Sequence, residues 1–110
     1  MSIVHKNADL ALLRTLVLIV EGGCFGVAAT QCNRTQSAVS QQMQRLEKDL
    51  GVVLFEVRGR TKVITNGGYW IYQQAKKLLE INDQMYSDLD DITTLVPEIT
   101  VAKTHSVIFD

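Results

Sequence analysis

The chain has 110 residues, 46% of them apolar, and its formal net charge is −1, so it can bury one core and form one domain. The most apolar run, residues 10–20, is interrupted by Arg14 and is far shorter than the roughly 20 residues that cross a bilayer, which excludes a membrane span there. Two cysteines without a signal peptide exclude a disulfide framework and predict free thiols in a cytoplasmic protein.

The first predicted helix begins at a cap, Asp9, and ends near Glu21. Its apolar residues form two stripes, Leu10, Leu13, Val17 and Val20 on one side and Leu12, Leu16 and Ile19 on the other. Because a helix that is apolar on two sides must be covered twice, we expect it to be buried. A short second helix follows over residues 25–32, and its inward-facing residues are predicted to be Phe25, Ala28, Ala29 and Cys32.

The third predicted helix lies within residues 34–50 and combines an apolar stripe with a face of uncharged hydrogen-bonding side chains. The stripe is Val39, Met43, Leu46 and Leu50, and the opposite face carries Gln36, Ser37, Ser40, Gln41 and Gln44. Amides and hydroxyls pair with adenine and neighbouring base edges in the major groove of DNA. The pattern alone leaves open a polar face that only contacts solvent. With Thr35 as the N-cap and Gly51 as the stop, the three helices predict a helix-turn-helix.

A short β-hairpin, or wing, is predicted over residues 53–65. Residues 53–56 form its first strand, residues 58–61 its tip and residues 62–65 its return strand. Arg58 and Lys62 are interpreted as contacts to DNA phosphates, as are Arg34, Thr35 and Gln44 at the third helix. Composition alone leaves an ordinary solvated turn open as the alternative.

A long helix is predicted from a cap at Thr65 to about residue 92. Apolar residues and one Asn recur along it at alternating spacings of four and three, which is the seam of a coiled coil. These positions are Ile71, Ala75, Leu78, Asn82, Met85, Leu89 and Ile92. The seam packs either on the first helix of the same chain, with help from Trp70 and Leu79, or on a second copy. Asn82 in such a seam costs stability while fixing register.

Charge is distributed unevenly along the chain. Residues 1–79 hold ten Lys and Arg against five Asp and Glu, a balance of +5, whereas residues 80–110 hold one Lys against seven Asp and Glu, a balance of −6. Phosphates attract the first part and repel the second. The basic part therefore predicts a contact with nucleic acid despite the net charge of −1.

No catalytic, cofactor or metal site is predicted. His5 and His105 stand near the two ends, no Cys/His cluster has metal-ligand spacing, and there is no Gly-rich phosphate loop. Cys24 is interpreted either as a reactive thiol or as a substitute for a capping residue.

Taken together, these motifs resemble the N-terminal DNA-binding domain of LysR-type transcriptional regulators, in register from residue 9 to about residue 91. The shared residues are Phe25, Ala28-Ala29, Ala38-Val39-Ser40, Leu46-Glu47, Leu50-Gly51, Leu54-Phe55-Glu56, Gly59-Arg60, Ile64-Thr65 and Gly68. The departures are Cys24 for Ser, Cys32 for Leu, Ser37 for a frequent Pro, Val57 for an Arg of the wing and Gly67 for a frequent Ala.

The resemblance implies a mainly α fold in three segments. Residues 1–65 are expected to form a winged helix-turn-helix of three helices and a two-stranded wing, and residues 66–92 a long dimerisation helix. Residues 93–110 are expected to be a flexible hinge and the truncated start of an effector-binding domain. No small-molecule effector site is therefore expected within the chain.

The resemblance also implies a function. It places Arg60 in the DNA minor groove beside the recognition helix, where a narrow A·T-rich groove attracts a guanidinium. The expected activity is regulation of transcription by a homodimer that binds an interrupted inverted repeat in double-stranded DNA. The alternative is a truncated regulator that acts by protein contact, pairing with a full-length relative in an inactive heterodimer.

Overall fold

The computed structural model describes residues 6–95, and their side chains as far as residue 92. Within this range there are four helices and two strands, in the order α1 (Leu10–Gly22), α2 (Phe25–Cys32), α3 (Gln36–Leu50), β1 (Phe55–Arg58), β2 (Thr61–Ile64) and α4 (Asn66–Leu95). The mainly α winged helix-turn-helix that the sequence predicted is confirmed. The chain forms two compact units, one extending to Leu79 and the other beginning at Glu80.

Side chains of the predicted type cap the first three helices. Asp9 accepts hydrogen bonds from the amides of Ala11 and Leu12 at 3.0 and 3.3 Å. The Cys24 sulfur accepts from the Val27 amide at 3.5 Å, so the thiol does serve as a substitute cap. Gly51 ends α3 in the left-handed conformation, φ 68°, which glycine adopts without steric cost.

The core of the first unit lies where α1, α2 and α3 meet. Its buried members are Leu12, Leu13, Leu16, Ile19, Phe25, Ala28, Ala29, Val39, Met43, Leu46, Leu54 and Ala75. The small side chains of Ala28 and Ala29 allow α3 to pack closely on α2. Cys32 is only half-buried, whereas the sequence predicted it in the core. It is the last residue of α2, where the chain turns outward.

The wing is an antiparallel hairpin in which Phe55 pairs with Ile64 and Arg58 with Thr61. Its loop is only Gly59 and Arg60, with φ 62° at the glycine, as a two-residue hairpin turn requires. The predicted tip of residues 58–61 was therefore too long. The first strand also starts two residues later than predicted, at Phe55, and the Leu54 amide before it is donated to Glu47 of α3.

Leu54, the residue directly before β1, lies close to the first turn of α4. Thr65 donates its amide to the Leu54 carbonyl at 2.9 Å, and its hydroxyl contacts the Val53 and Leu54 carbonyls. The same hydroxyl accepts from the Gly68 amide at 2.9 Å, which confirms Thr65 as the N-cap of α4. A Cβ on Gly68 would lie 2.3 Å from the Leu54 oxygen, so only glycine fits there.

The part of α4 that belongs to the first unit differs from the prediction at two residues. Ala75 is fully buried, at 0% exposure, in the core of its own chain, so its methyl group is not available to a second copy and its assignment to the dimer seam is corrected. Trp70, which the alternative of packing on α1 would have covered, is 58% exposed. Leu79 is buried as expected, and Ile71 packs on the core at its edge.

A polar cluster joins α4 to the end of α1 at the surface. The Tyr72 hydroxyl donates to Glu21 at 2.8 Å, and Lys76 Nζ lies 3.4 Å from the same carboxylate oxygen. The hydrogen bond from Tyr72 lowers the pKa of the Glu21 carboxyl below its ordinary value, and Lys76 adds to this effect. The side chains of Lys76 and Glu21 are exposed, so their ion pair contributes little stability.

α4 continues to Leu95, past the predicted end near residue 92. Of residues 93–110, which the sequence predicted as a hinge and the start of a further domain, residues 93–95 belong to α4 and residues 96–110 lie outside the described residues. Over residues 6–95, none of the helices combines the length and apolar character needed to span a bilayer.

Candidate nucleic-acid interface

The polar face of α3 is presented to solvent in the first unit. Gln36, Ser37, Gln41 and Gln44 are exposed and Ser40 is half-buried. The opposite side of the helix carries Val39, Met43 and Leu46, all buried, so core packing fixes which face points outward. Thr35 precedes the helix and accepts from the Ala38 amide at 3.0 Å, which satisfies one free N–H of the first turn.

A groove of about 310 Å³ lies between the polar face of α3 and the wing. It brings together four residues that the sequence assigned to DNA contacts, Gln36 and Ser40 from α3 and Arg60 and Lys62 from the wing. The remaining lining residues are Gly23, Cys24, Phe25 and Thr61. We call this the wing groove. It combines amide, hydroxyl, guanidinium and ammonium groups on two sides of one concave surface.

Lys62 is held at the groove by an aromatic side chain of α2. Its Nζ lies 4.7 Å from the centre of the Phe25 ring, within the range of a cation–π contact. Phe25 in turn packs edge-to-face on Phe55, with ring centres 5.0 Å apart. The wing therefore packs on α2 through an aromatic pair of which Phe25 is buried and Phe55 half-buried, and the Lys62 side chain remains exposed to solvent.

Two other basic residues predicted to contact phosphates, Arg58 and Arg34, do not line this groove. Arg58 forms a solvated ion pair with Glu56 at 3.1 Å, and such exposed pairs exchange readily for other partners. Arg34, at the turn before α3, lines a separate groove of about 380 Å³ with Arg14 and Gln42 among its residues. The predicted phosphate contacts thus flank α3 on both sides rather than converging at one point.

Two contributors to this geometry were missed in the sequence analysis. Phe25 was assigned only to the core, and nothing in the sequence indicates that Lys62 lies over its ring. Glu47 was noted only as part of a motif, although its carboxylate accepts hydrogen bonds from the backbone of the wing segment. Among the described residues, no group of three His, Cys, Asp or Glu side chains is arranged to hold a metal ion.

Residues 10–68 match the profile described as bacterial regulatory helix-turn-helix protein, lysR family. The chain belongs to the LysR family. The matched range begins in α1 and ends at Gly68 in α4, so it includes α2, α3 and the wing.

Relatives within the LysR family share the same part of the chain. The transcriptional regulator PecT of Dickeya dadantii is 46% identical over 94 residues, which cover 81% of this chain and 30% of PecT. BenM of Acinetobacter baylyi is 36% identical over 101 residues, covering 92% of this chain and 33% of BenM. The chain therefore spans about a third of the length of these relatives.

Solved LysR-family structures share the fold. The BenM DNA-binding domain in complex with catB site 1 DNA is 38% identical, with a TM-score of 0.73, over 79% of this chain and 94% of that one. The CbnR DNA-binding domain in complex with DNA is 28% identical, with a TM-score of 0.70, over 78% of this chain and 99% of that one. Both neighbours are bound to DNA in their crystals.

Proposed function

We propose that this chain binds double-stranded DNA sequence-specifically, as a homodimer on an interrupted inverted repeat, and regulates transcription. The observation that supports this proposal most is the wing groove, which brings the amide of Gln36 and the hydroxyl of Ser40 on α3 together with the cations of the wing. The balance of +5 on residues 1–79 adds the attraction for phosphates that DNA binding requires.

The positions of these residues support separate assignments to bases and to phosphates. We assign base contacts in the major groove to Gln36, Ser37, Ser40 and Gln41, because these uncharged donors and acceptors stand on one exposed helix face. Arg60 forms the wing tip, and we assign it to the minor groove. The phosphate contacts proposed are those of Arg34, Thr35, Gln44, Arg58 and Lys62, which fix register without reading bases.

The proposal of a dimer rests on exposed apolar side chains of α4. In the first unit, Leu78 is 44% exposed. In the second unit, Ile81, Met85, Leu89 and Ile92 are between 38% and 70% exposed and line an apolar groove with Gln84 and Asp88. Asn82 is half-buried beside them. Of the predicted seam, Ala75 lies in the core of its own chain and Ile71 packs against that core. We propose that four of the other members, Leu78, Asn82, Met85 and Leu89, pair with a second copy.

A gel-shift assay tests the function directly. The purified chain, with no partner, is expected to shift promoter fragments that flank its own gene and to leave a fragment of equal length from a coding region unshifted. The alternative function, inactive pairing with a full-length relative, needs dimerisation but no DNA. A chain that shifted no fragment, yet prevented a full-length relative from binding, would contradict the proposal in favour of that alternative.

Gln36→Ala tests the assignment of base contacts. An amide that pairs with adenine contributes about 1–3 kcal/mol of discrimination, so this change should weaken binding to the specific site by that amount and hardly affect random DNA. Fluorescence anisotropy on both duplexes measures the difference. Gln73→Ala, which removes an exposed amide from α4, is the matched control. Equal losses on both duplexes would show that Gln36 does not read a base.

Lys62→Ala tests the assignment of phosphate contacts. Its removal should weaken specific and random DNA by similar factors, because phosphates are the same in every sequence. The slope of log affinity against log salt should fall by about 0.9 for each protomer, as expected for one lost phosphate contact. Titrations at four salt concentrations measure this slope. An unchanged slope would show that Lys62 serves only to pack on Phe25.

A further inference from the structure

The backbone at the start of the wing is hydrogen-bonded to the carboxylate of one residue of α3. Glu47 Oε2 accepts the Leu54 amide at 2.7 Å and the Phe55 amide at 3.5 Å. Glu47 belongs to the last turns of α3 and is half-buried, and Leu54 is fully buried. Hydrogen bonds from amides to an ionised carboxylate are about twice as strong as those between neutral groups.

The carbonyl group of Leu54 is hydrogen-bonded to the residue that caps α4. The Leu54 carbonyl accepts the Thr65 amide at 2.9 Å and the Thr65 hydroxyl at 3.3 Å. Both polar backbone groups of Leu54 are thus bonded to different elements, its N–H to α3 and its C=O to the start of α4. Glu47 therefore hydrogen-bonds the start of the wing to the helix that carries Gln36 and Ser40.

We propose that Glu47 is a positioning residue for DNA recognition. Its carboxylate sets the separation of α3 and the wing, so that Arg60 and Lys62 stay across the wing groove from the base-reading residues. This inference rests on the proposed function, because it concerns the simultaneous engagement of DNA by α3 and the wing. Arg60 can act only when the wing tip is held at the correct distance from the major-groove contacts.

The direction of the change in DNA affinity distinguishes a positioning role from a simple change of charge. A carboxylate in the basic unit repels phosphates, so its removal alone should tighten DNA binding. Loss of the wing's attachment should weaken binding instead. Glu56→Ala is the matched control, because it removes a carboxylate on the wing itself, releases Arg58 from its ion pair and leaves the Glu47 hydrogen bonds intact.

The experiment combines Glu47→Ala and Glu47→Gln with Arg60→Ala in a double-mutant cycle. Affinity is measured by fluorescence anisotropy on one operator duplex, and the folded state of each variant is checked by circular dichroism. Glu47→Ala should weaken binding by about tenfold, the order expected for one lost base contact. Glu47→Gln should weaken it less, since its amide oxygen still accepts the Leu54 amide. Glu56→Ala should bind as tightly as the unaltered chain or more tightly.

The coupling with Arg60 separates positioning from a loss of folded protein. A smaller folded fraction would scale every affinity equally, so Arg60→Ala would still cost the same factor. A displaced wing makes Arg60 irrelevant, so in the Glu47→Ala background its removal should cost less than about twofold. In the absence of DNA, hydrogen exchange of the Leu54 and Phe55 amides should also be faster in Glu47→Ala than in the unaltered chain.

The outcomes distinguish a failure of the proposed function from a failure of the role proposed for Glu47. If the unaltered chain fails to bind any operator, the proposed function is wrong, and this inference falls with it. If the unaltered chain binds but Glu47→Ala binds as tightly as Glu56→Ala, the inference alone is overturned. A full Arg60 effect in the Glu47→Ala background would likewise overturn it and leave the proposed function intact.

Discussion

Leu78→Asp should make the protein monomeric and weaken its binding to a two-half-site operator by about a hundredfold or more, since the second contact is no longer intramolecular. Leu78 is exposed in the first unit, so the introduced carboxylate is hydrated in the monomer and the fold is preserved. In a dimer the same charge would be buried against the second copy, which is strongly unfavourable. Sedimentation velocity measures the association and anisotropy measures the affinity.

Two comparisons make this prediction specific. Affinity for a duplex with a single half-site should hardly change, because Leu78→Asp leaves α3 and the wing intact. Gln73→Asp adds the same charge at another exposed position of α4 and should remain dimeric. A dimer of unchanged stability in Leu78→Asp would remove α4 from the proposed interface.

Gly68→Ala should lower the free energy of unfolding by about 3 kcal/mol, through overpacking and weakened hydrogen bonds at Leu54. The new Cβ would lie 2.3 Å from the Leu54 oxygen and 2.9 Å from Ile64 Cγ1, so α4 must move away from the wing. This sign is opposite to the usual one, since alanine stabilises a helix interior by about 1 kcal/mol relative to glycine. Urea denaturation followed by circular dichroism measures the change.

Gly67→Ala is the control for the glycine prediction. Its Cβ would meet Val52 Cγ1 at 2.9 Å, which is the end of a side chain that can move, and no backbone atom closer than 3.9 Å. Its effect should stay within about 1 kcal/mol, because helix propensity offsets the crowding. Equal stability of the two variants would show that the approach of α4 to Leu54 is not a tight constraint.

Periodicity and capping residues were sufficient to predict the helices. Asp9, Thr35 and Thr65 are short polar residues directly before apolar periodic segments, and all three accept amide hydrogen bonds in the structure. The apolar stripe of α3 was also predicted correctly, because one buried face leaves its polar face no other orientation. Local signals of this kind need no knowledge of which segments meet.

Contacts between distant segments could not be predicted in the same way. Ala75 and Leu78 share one heptad pattern, yet the first is buried by its own chain and the second is uncovered. The pattern is the same whether a helix packs on its own domain or on a second copy. Glu47 and Gly68 also act through Leu54, which becomes visible only when the strand, the two helices and their separations are known.

The opposite charges of the two chain segments have a kinetic consequence for the proposed binding to DNA. Residues 1–79 carry a balance of +5 and residues 80–110 one of −6, so a polyanion attracts the first segment and repels the second. At 0.1 M salt the attraction reaches about 10 Å from the duplex, the Debye length, so it acts on the basic segment before any contact forms. The distribution of charge along the chain therefore favours encounters that begin at the basic segment.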